Sequence, residues 1–449
     1  MSKRKGSKVA RLPVVEPNAA GVDIGATEVF VAVPADRDPQ PIRCFATFTA
    51  DLQRLADWLE QCRIRTVAME STGVYWIPLF QILEERKIEA CLVNAQHLKN
   101  VPGRKTDVED CQWIQHLHSV GFLRGSFRPN QEICAIRSLW RHRDNLIQLA
   151  TVHLQHMQKA LDQMNLQIHH VISDLAGTTG LAIVDAILAG ERDVQKLAQL
   201  RDWRIRASKE TIMKSLVGDY REEHLFTLRQ SLESYRHYQR LIQEVDTQVK
   251  QMMRQLSARV DTTAKTLPPE KNPRKTPWRN EPPQLREDLY RAFGVDLTQI
   301  PGINTLTAQM LLTEVGPDLS RFPTVAAFCS WLRLCPEPEP KISGGKVLSS
   351  KTRPSKNRAA LSLRMAAQGL HRSQTFLGDY FRRMKSRLGT PKALTAAAHK
   401  LARIVYHMLT RRQEYDATVF QELERRVQDR KRNQARELGF DLVARVAVP

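Results

Sequence analysis

Four acidic residues stand where carboxylates could be gathered around a cation. Asp23 lies in Gly21-Val22-Asp23-Ile24-Gly25, ahead of the apolar run Val29–Val33. Glu70 closes the apolar stretch Ile64–Met69, and Ser71-Thr72-Gly73 then forces a turn. Asp107 and Asp110 open a helical segment in Lys105-Thr106-Asp107-Val108-Glu109-Asp110. A spacing of three sets them about 60° apart on one helical face and turns Glu109 to the other side, which excludes it. Hard carboxylate oxygens from two strand ends and one helix suit Mg²⁺. Two such ions a few ångströms apart can hold a phosphodiester for in-line displacement. Singly, each acid reads as a surface charge, or Asp107 as a helix cap. Together they gain weight because Asp23 and Glu70 fall at apolar strands, where an uncompensated carboxylate is costly.

A second constellation is basic. Lys341-Ile342-Ser343-Gly344-Gly345-Lys346 places a serine before two glycines and between lysines, free to approach a phosphate. Lys351, Arg353, Lys356, Arg358 and Arg364 follow. A serine nucleophile needs activation or neutralisation of transition-state charge, and cations supply the latter. The segment standing alone also reads as an ordinary basic loop. Candidate nucleic-acid contacts are Lys105, Lys341, Lys346, Lys351, Arg353, Lys356 and Arg358. Ile300-Pro301-Gly302-Ile303-Asn304 precedes a helix over Thr305–Val315, whose first N–H groups could hold a phosphate, although such turns are mostly structural. Tyr75, near Glu70, reads as packing before substrate contact. No Walker loop, HExxH or paired Cys/His zinc spacing occurs. His116 and His118, and His169 and His170, lack the context of a closed metal site.

These residues need elements to position them. Residues 1–17 read as a disordered basic tail. From 18 to 130, strand signals at Val29–Val33, Ile64–Met69 and Ala90–Val93 alternate with helical patterns at Leu52–Cys62 and Ile77–Arg86, which predicts an α/β domain. Ile147, Ala150, Leu154, Met157, Leu161, Met164, Ile168 and Val171 recur at spacings of three and four, as do Leu225, Leu228, Leu232, Tyr235 and their successors to Leu256. The spacing predicts two antiparallel coiled-coil arms with a small helical cap over 131–262. Residues 263–292 are rich in Pro and Lys and read as a linker. A mainly α-helical domain is expected over 293–410, with Ala-rich helices at Ala359–Leu370 and Pro391–Leu409. A charged tail follows over 411–449.

Charge narrows the partner. Lys and Arg number 68 against 48 Asp and Glu, a net of +20, and Lys341–Pro449 carries 24 against 8, a net of +16. A concentrated basic block of this kind points to a nucleic-acid polyanion, bound in a salt-sensitive way. Seven cysteines with no CxxC pair read as reduced core thiols. No apolar run approaches the roughly 18 residues of a membrane span. With no apolar stretch after the basic N-terminus, a cytoplasmic, nucleoid-associated protein is expected.

The order of these motifs resembles a known family. Gly-Val-Asp23-Ile-Gly, Met-Glu70-Ser-Thr-Gly-Val-Tyr75 and Gly103-Arg-Lys-Thr-Asp107-Val-Glu-Asp110 resemble the DEDD transposases of bacterial insertion sequences, the group associated with bridge-RNA-guided recombination. Ile300-Pro-Gly-Ile, Glu314-Val-Gly, Arg321-Phe-Pro-Thr and Ser343-Gly-Gly resemble that family's second domain. The resemblance covers about 20–130 and 296–410. It implies an RNase H-like (RuvC-like) N-terminal domain in which Asp23, Glu70, Asp107 and Asp110 bind Mg²⁺, with two ions expected. It also implies a serine that attacks DNA and forms a transient phosphoserine link, by position Ser343, with Ser349, Ser350 and Ser355 nearby. The segment departs from the commoner pattern at Pro336-Glu-Pro-Glu-Pro and at Ser355-Lys356-Asn357-Arg358. DNA, a structured guide RNA, a homodimer whose protomers share the chemistry and a tetramer at synapsis are implied as partners. The residues by themselves leave two other readings open: a hydrolytic, metal-dependent resolvase-like endonuclease, and a nucleic-acid-binding protein without chemistry.

Overall fold

The computed structural model describes residues 13–71, 73–94, 107–260, 265–271, 280–336, 341–343, 346–349, 352 and 354–420, and 425, 429–430, 432–434, 436–437 and 439–440. For 107, 341–343, 346–349 and 420 only the backbone is described. Lys105, Ser350, Lys351 and Arg353 lie outside the described residues, as does most of the tail read over 1–17. The chain forms two units, Met1–Arg128 and Pro129–Pro449.

The first unit is a mixed sheet with helices on both faces. Strands β1 (Ala19–Ile24), β2 (Glu28–Ala32) and β3 (Ile42–Ala46) form an antiparallel meander. β4 (Thr66–Glu70) and β5 (Glu89–Val93) run parallel to β1, giving the order β3-β2-β1-β4-β5. Side chains alternate between faces along a strand. Ala20, Val22, Ile24, Val67 and Met69 point to one face, buried with Leu55 and Leu59 of α1 (Thr49–Gln61) and Leu79 and Leu83 of α2 (Trp76–Glu85). Each fully buried side chain of this size contributes roughly 1.5–3 kcal/mol of transfer free energy. Ala68 and Val93 point the other way and pack with Ile114 of α3 (Asp107–Ser119). β3 carries no strong sequence signal because it is an edge strand with neither face fully buried.

The second unit begins with a long helix, α4 (Gln131–Gln163), capped by the Asn130 side chain, which accepts from the Ile133 N–H. A second long helix, α9 (Glu222–Gln255), packs along it. His153 stacks on Tyr238, and Arg143 pairs with Asp246, so numbers rise on one helix as they fall on the other and the pair is antiparallel. Between them lie α5 (Ile168–Val171), α6 (Thr178–Leu188), α7 (Val194–Gln199) and α8 (Lys209–Ser215). Their Ile183, Ile187, Leu197 and Ile212, with Leu216 just past α8, form one buried cluster with Met157, Leu161 and Leu228. The apolar stripe read through Ile168 and Val171 continues, but the first helix does not. It stops at Met164, and Asn165 takes a left-handed conformation (φ 56°).

The rest of the unit is helical: α10 (Leu285–Phe293), α11 (Thr305–Val315), α12 (Val325–Trp331), α13 (Arg358–Gly369), α14 (Phe376–Leu388) and α15 (Thr390–Arg411), with a hairpin of β6 (Lys341–Ser343) and β7 (Lys346–Ser349). Buried Ala359, Ala360, Ala367, Ala397, Ala398 and Ala402 give α13 and α15 smooth faces for close packing. The stretch read as a linker over 263–292 is partly tied down. All of α10 but Phe293 lies within it, and Arg286 and Gln299 donate to the carbonyls of Pro268 and Pro269 at 2.6 and 3.0 Å. Two prolines cannot donate to any ladder, but their carbonyls remain acceptors.

Candidate active site

Parallel pairing sets Val22 opposite Met69, so Asp23 and Glu70, one residue on, stand level on adjacent strands. Neighbouring strands are about 4.8 Å apart. By alternation both acids share the face that carries Ala68, the face covered by α3. Asp23 and Glu70 are each half-buried among otherwise buried strand residues.

α3 crosses this face antiparallel to β1. Gln115 Nε2 donates to the Ala19 carbonyl at 3.2 Å, at the start of β1. His118 Nε2 meets Thr66 Oγ1 at 2.8 Å, at the start of β4. Further along β1, a Cβ placed on Gly21 would lie 2.7 Å from Gln115 Cα and closer still to Gln115 N and Cys111 O. Only glycine lets the helix backbone come this near. Because the helix runs opposite to the strands, its first turn, with Asp107 and Asp110, lies toward the strand ends that carry Asp23 and Glu70. Val108 and Glu109 are exposed, whereas Asp110 is half-buried. Electrostatics report the same convergence. The Cys111 thiol is pushed up to about 12, first by burial and then by the Asp23 and Asp110 carboxylates. Cys111 therefore stays protonated and is no nucleophile.

The donor set is uniformly carboxylate oxygen, which fits a hard divalent cation and not a soft one. Among the described side chains, Asp23, Glu70 and Asp110 are brought to one end of the sheet without all closing to within 4.8 Å of one another. Tyr75, at the start of α2, is 50% exposed near this end. Burial lowers the pKa of His118, packed on Thr66, against the pull of Glu16 and Glu89.

The serine segment belongs to the second unit. β6 and β7 pair antiparallel with Ser343 opposite Lys346. A further bridge joins Pro336 to Thr352. The stretch read as a loop thus contains two paired strands, and Ser343 is the last residue of β6. Ser355 Oγ accepts from the Asn357 N–H, and Asn357 Oδ1 caps α13 through the Ala360 N–H. Lys356 is exposed. Arg358, at the first position of α13, donates to Asp144 of α4 at 3.0 Å.

Two residues here, Arg141 and Asp144, escaped sequence reasoning. Arg141 makes a bidentate pair with the buried Glu314 at 2.8 Å to each oxygen, fastening α4 to α11. Asp144, whose carboxyl burial pushes up against the pull of Arg358, fastens α4 to α13. The available signal was Glu314 itself, an acid among the apolar residues of α11. The Pro301-Gly302 turn has a packing role. Gly302 adopts φ +92°, and a Cβ there would lie 2.6 Å from the Ala366 carbonyl of α13. The Asn304 side chain already caps α11 through the Thr307 N–H at 2.8 Å.

Residues 20–166 match the DEDD transposase model of the IS110 type. Residues 296–376 match the model described as transposase of the IS116/IS110/IS902 family. The first match ends in the turn after α4, so the cap and α9 lie between the two. No curated protein matches the chain. The first match and the mixed sheet agree on an RNase H-like fold for the first unit. No helix among the described residues is long and apolar enough to cross a membrane.

Proposed function

The chain belongs to the IS110 family of DEDD transposases and is a DNA transposase, and from that premise we propose that it cuts and rejoins DNA through Ser343 with help from the carboxylates Asp23, Glu70, Asp107 and Asp110. The observation that carries this reading is the level placement of Asp23 and Glu70 on one sheet face, beneath the first turn of α3.

In this mechanism Ser343 Oγ attacks a backbone phosphorus. A P–Oγ bond forms, the bond to one deoxyribose oxygen breaks, and that strand end leaves as a hydroxyl after gaining a proton. The serine proton passes to solvent or a nearby base. Because the phosphoserine ester keeps the bond energy, attack by a different strand hydroxyl reverses the step and joins new ends. The four carboxylates would hold Mg²⁺, which when bound supplies charge neutralisation at the scissile phosphate. Lys341 and Lys346 flank Ser343 in the chain and add positive charge there. Lys105, Lys351, Arg353, Lys356 and Arg358 would bind the phosphate backbone, and the net of +16 over Lys341–Pro449 predicts binding that weakens steeply with salt.

We read the α4–α9 pair as a coiled-coil arm that serves a homodimer, with a tetramer at synapsis, and the excess positive charge as the seat of a structured guide RNA as well as DNA. The decisive experiment is Ser343→Ala with a labelled DNA duplex. The wild type should give a covalent protein–DNA adduct on denaturing gels, and the variant none. Full cleavage by the variant would assign the chemistry to water. Sequencing of co-purified RNA checks the guide: one discrete species supports it, and random fragments reject it.

A further inference from the structure

The His169-His170 pair meets a third ligand that its sequence context does not announce. Asp162, at the end of α4, brings a carboxylate to both rings. Its Oδ1 lies 3.2 Å from His169 Nε2 and 3.9 Å from His170 Nε2. One ligand atom from each of the three residues falls within 4.8 Å of the others, and the two rings are 4.1 Å apart. Among the described residues this is the tightest gathering of metal-binding side chains.

The backbone holds the three in place. Asp162 is followed by the Asn165 turn, closed by Asn165 N–H to Asp162 O at 2.9 Å and by Leu166 N–H to Leu161 O at 2.8 Å. Met164, Leu166 and Ile168 alternate with the turn's polar residues and are fully buried. Gln167 N–H is tied to the Ser215 carbonyl of α8 at 2.8 Å. The His169 side chain is 8% exposed, whereas that of His170 is 67% exposed. An ion pair would explain His169 with Asp162, but it gives no reason for His170 to turn toward the same oxygen.

We propose that Asp162, His169 and His170 form a site for a borderline transition-metal ion of the Zn²⁺ class at the tip of the helical arm. Two imidazoles and one carboxylate are the donor set that Zn²⁺ favours, while Mg²⁺ favours all-oxygen sites such as the carboxylates of the first unit. Metal–ligand bonds of about 2.1 Å set tetrahedral ligands about 3.4 Å apart. The distances of 3.2 and 3.9 Å bracket that value. Three protein ligands leave one position for water or an exchangeable ligand. His170 also lines a cavity of about 630 Å³ bounded by Thr178, Thr179, Arg204 and Arg206, which gives a bound ion access to solvent. A metal here would clasp the end of α4 to α5.

The test uses tag-free, full-length protein stripped with chelator, titrated with Zn²⁺ by calorimetry and with Co²⁺ by visible absorption. The expected result is one equivalent bound, retained in Asp23→Asn/Asp110→Asn and not displaced by excess Mg²⁺. Loss of an outer partner of a metal ligand already costs about 10–100-fold in affinity, so His170→Ala and Asp162→Asn should each weaken binding by at least about tenfold. Zn²⁺ should raise the melting temperature of the wild type and not of His170→Ala. His170 is exposed, so the metal-free variant should melt with the wild type, which separates ligand loss from misfolding. Absence of stoichiometric Zn²⁺ binding would overturn the proposal, as would equal affinity in the wild type and His170→Ala.

Discussion

Replacing Gly21 by alanine should disable the carboxylate site without touching any carboxylate. The new methyl group would meet Gln115 Cα at 2.7 Å, with Gln115 N and Cys111 O closer still, where ordinary contact begins at 3.4 Å. These are backbone atoms of α3, and no rotamer change relieves them. The helix must therefore lift from β1 by at least about 0.7 Å. Asp110 rides on that helix while Asp23, two residues along β1, does not. A misplacement near 1 Å can cost about 10²-fold in rate, and overpacking of this kind costs roughly 1–3 kcal/mol of stability. The assay is DNA strand cleavage below the melting temperature, alongside denaturant unfolding and a DNA-binding isotherm. Cleavage should fall by one to two orders of magnitude (about 10–10²-fold) while DNA binding stays within a few-fold. Wild-type cleavage by a folded Gly21→Ala protein would refute the claim that the fit of α3 on β1 sets the carboxylates.

Other perturbations probe separate parts of the molecule. Asp23→Asn with Asp107→Asn should retain DNA binding and abolish recombination, and unchanged recombination would end the metal reading. Burial lowers the pKa of His118 from its ordinary 6.5. The unfolded chain therefore takes up a proton before the folded one does, and stability present above about pH 6.5 is lost as pH falls through the depressed folded value. Urea midpoints at neutral and mildly acidic pH should differ, and His118→Gln should flatten the difference. Arg143 is almost fully buried, donating to Asp246 and, at 2.6 Å, to the Asn280 carbonyl. Arg143→Ala should cost up to about 3–5 kcal/mol, because it strands a partly buried carboxylate, and Arg143→Met with Asp246→Leu should recover most of it. A double-mutant cycle by equilibrium unfolding measures both.

The sequence made the strands that carry Asp23 and Glu70 legible, because each is a compact, mostly buried run with a single acid at or next to its end. It did not reveal their shared level, which depends on β1 pairing with β4 across some 45 intervening residues. Nor did it reveal β3, whose Ile42 and Phe45 are only half-buried. Apolar periodicity located both long helices but not the end of the first. Ile168 is buried whether or not the helix reaches it, and periodicity reports burial more directly than backbone conformation. The pairings Arg141–Glu314 and Asp144–Arg358 were unreadable for a related reason, although Glu314 itself stood out among apolar neighbours. Each joins residues more than 170 positions apart, and no local pattern distinguishes a charge that will find a partner from one that faces water.

The cap on the long helices is closed at its base. The Asp219 N–H donates to the Met164 carbonyl at 2.9 Å, so the chain leaves α4 and returns toward α9 through neighbouring points. A segment whose two ends already touch can be gained, lost or exchanged with little loop-closure penalty, since the helix-to-helix spacing it must bridge is preset. Residues 165–218 are in this sense a cartridge. A short turn could replace them to give a plain helical hairpin, provided Met157, Leu161 and Leu228 receive new cover. The same socket could also receive a foreign domain, placing a tether at the tip of the arm while leaving the root of the arm intact.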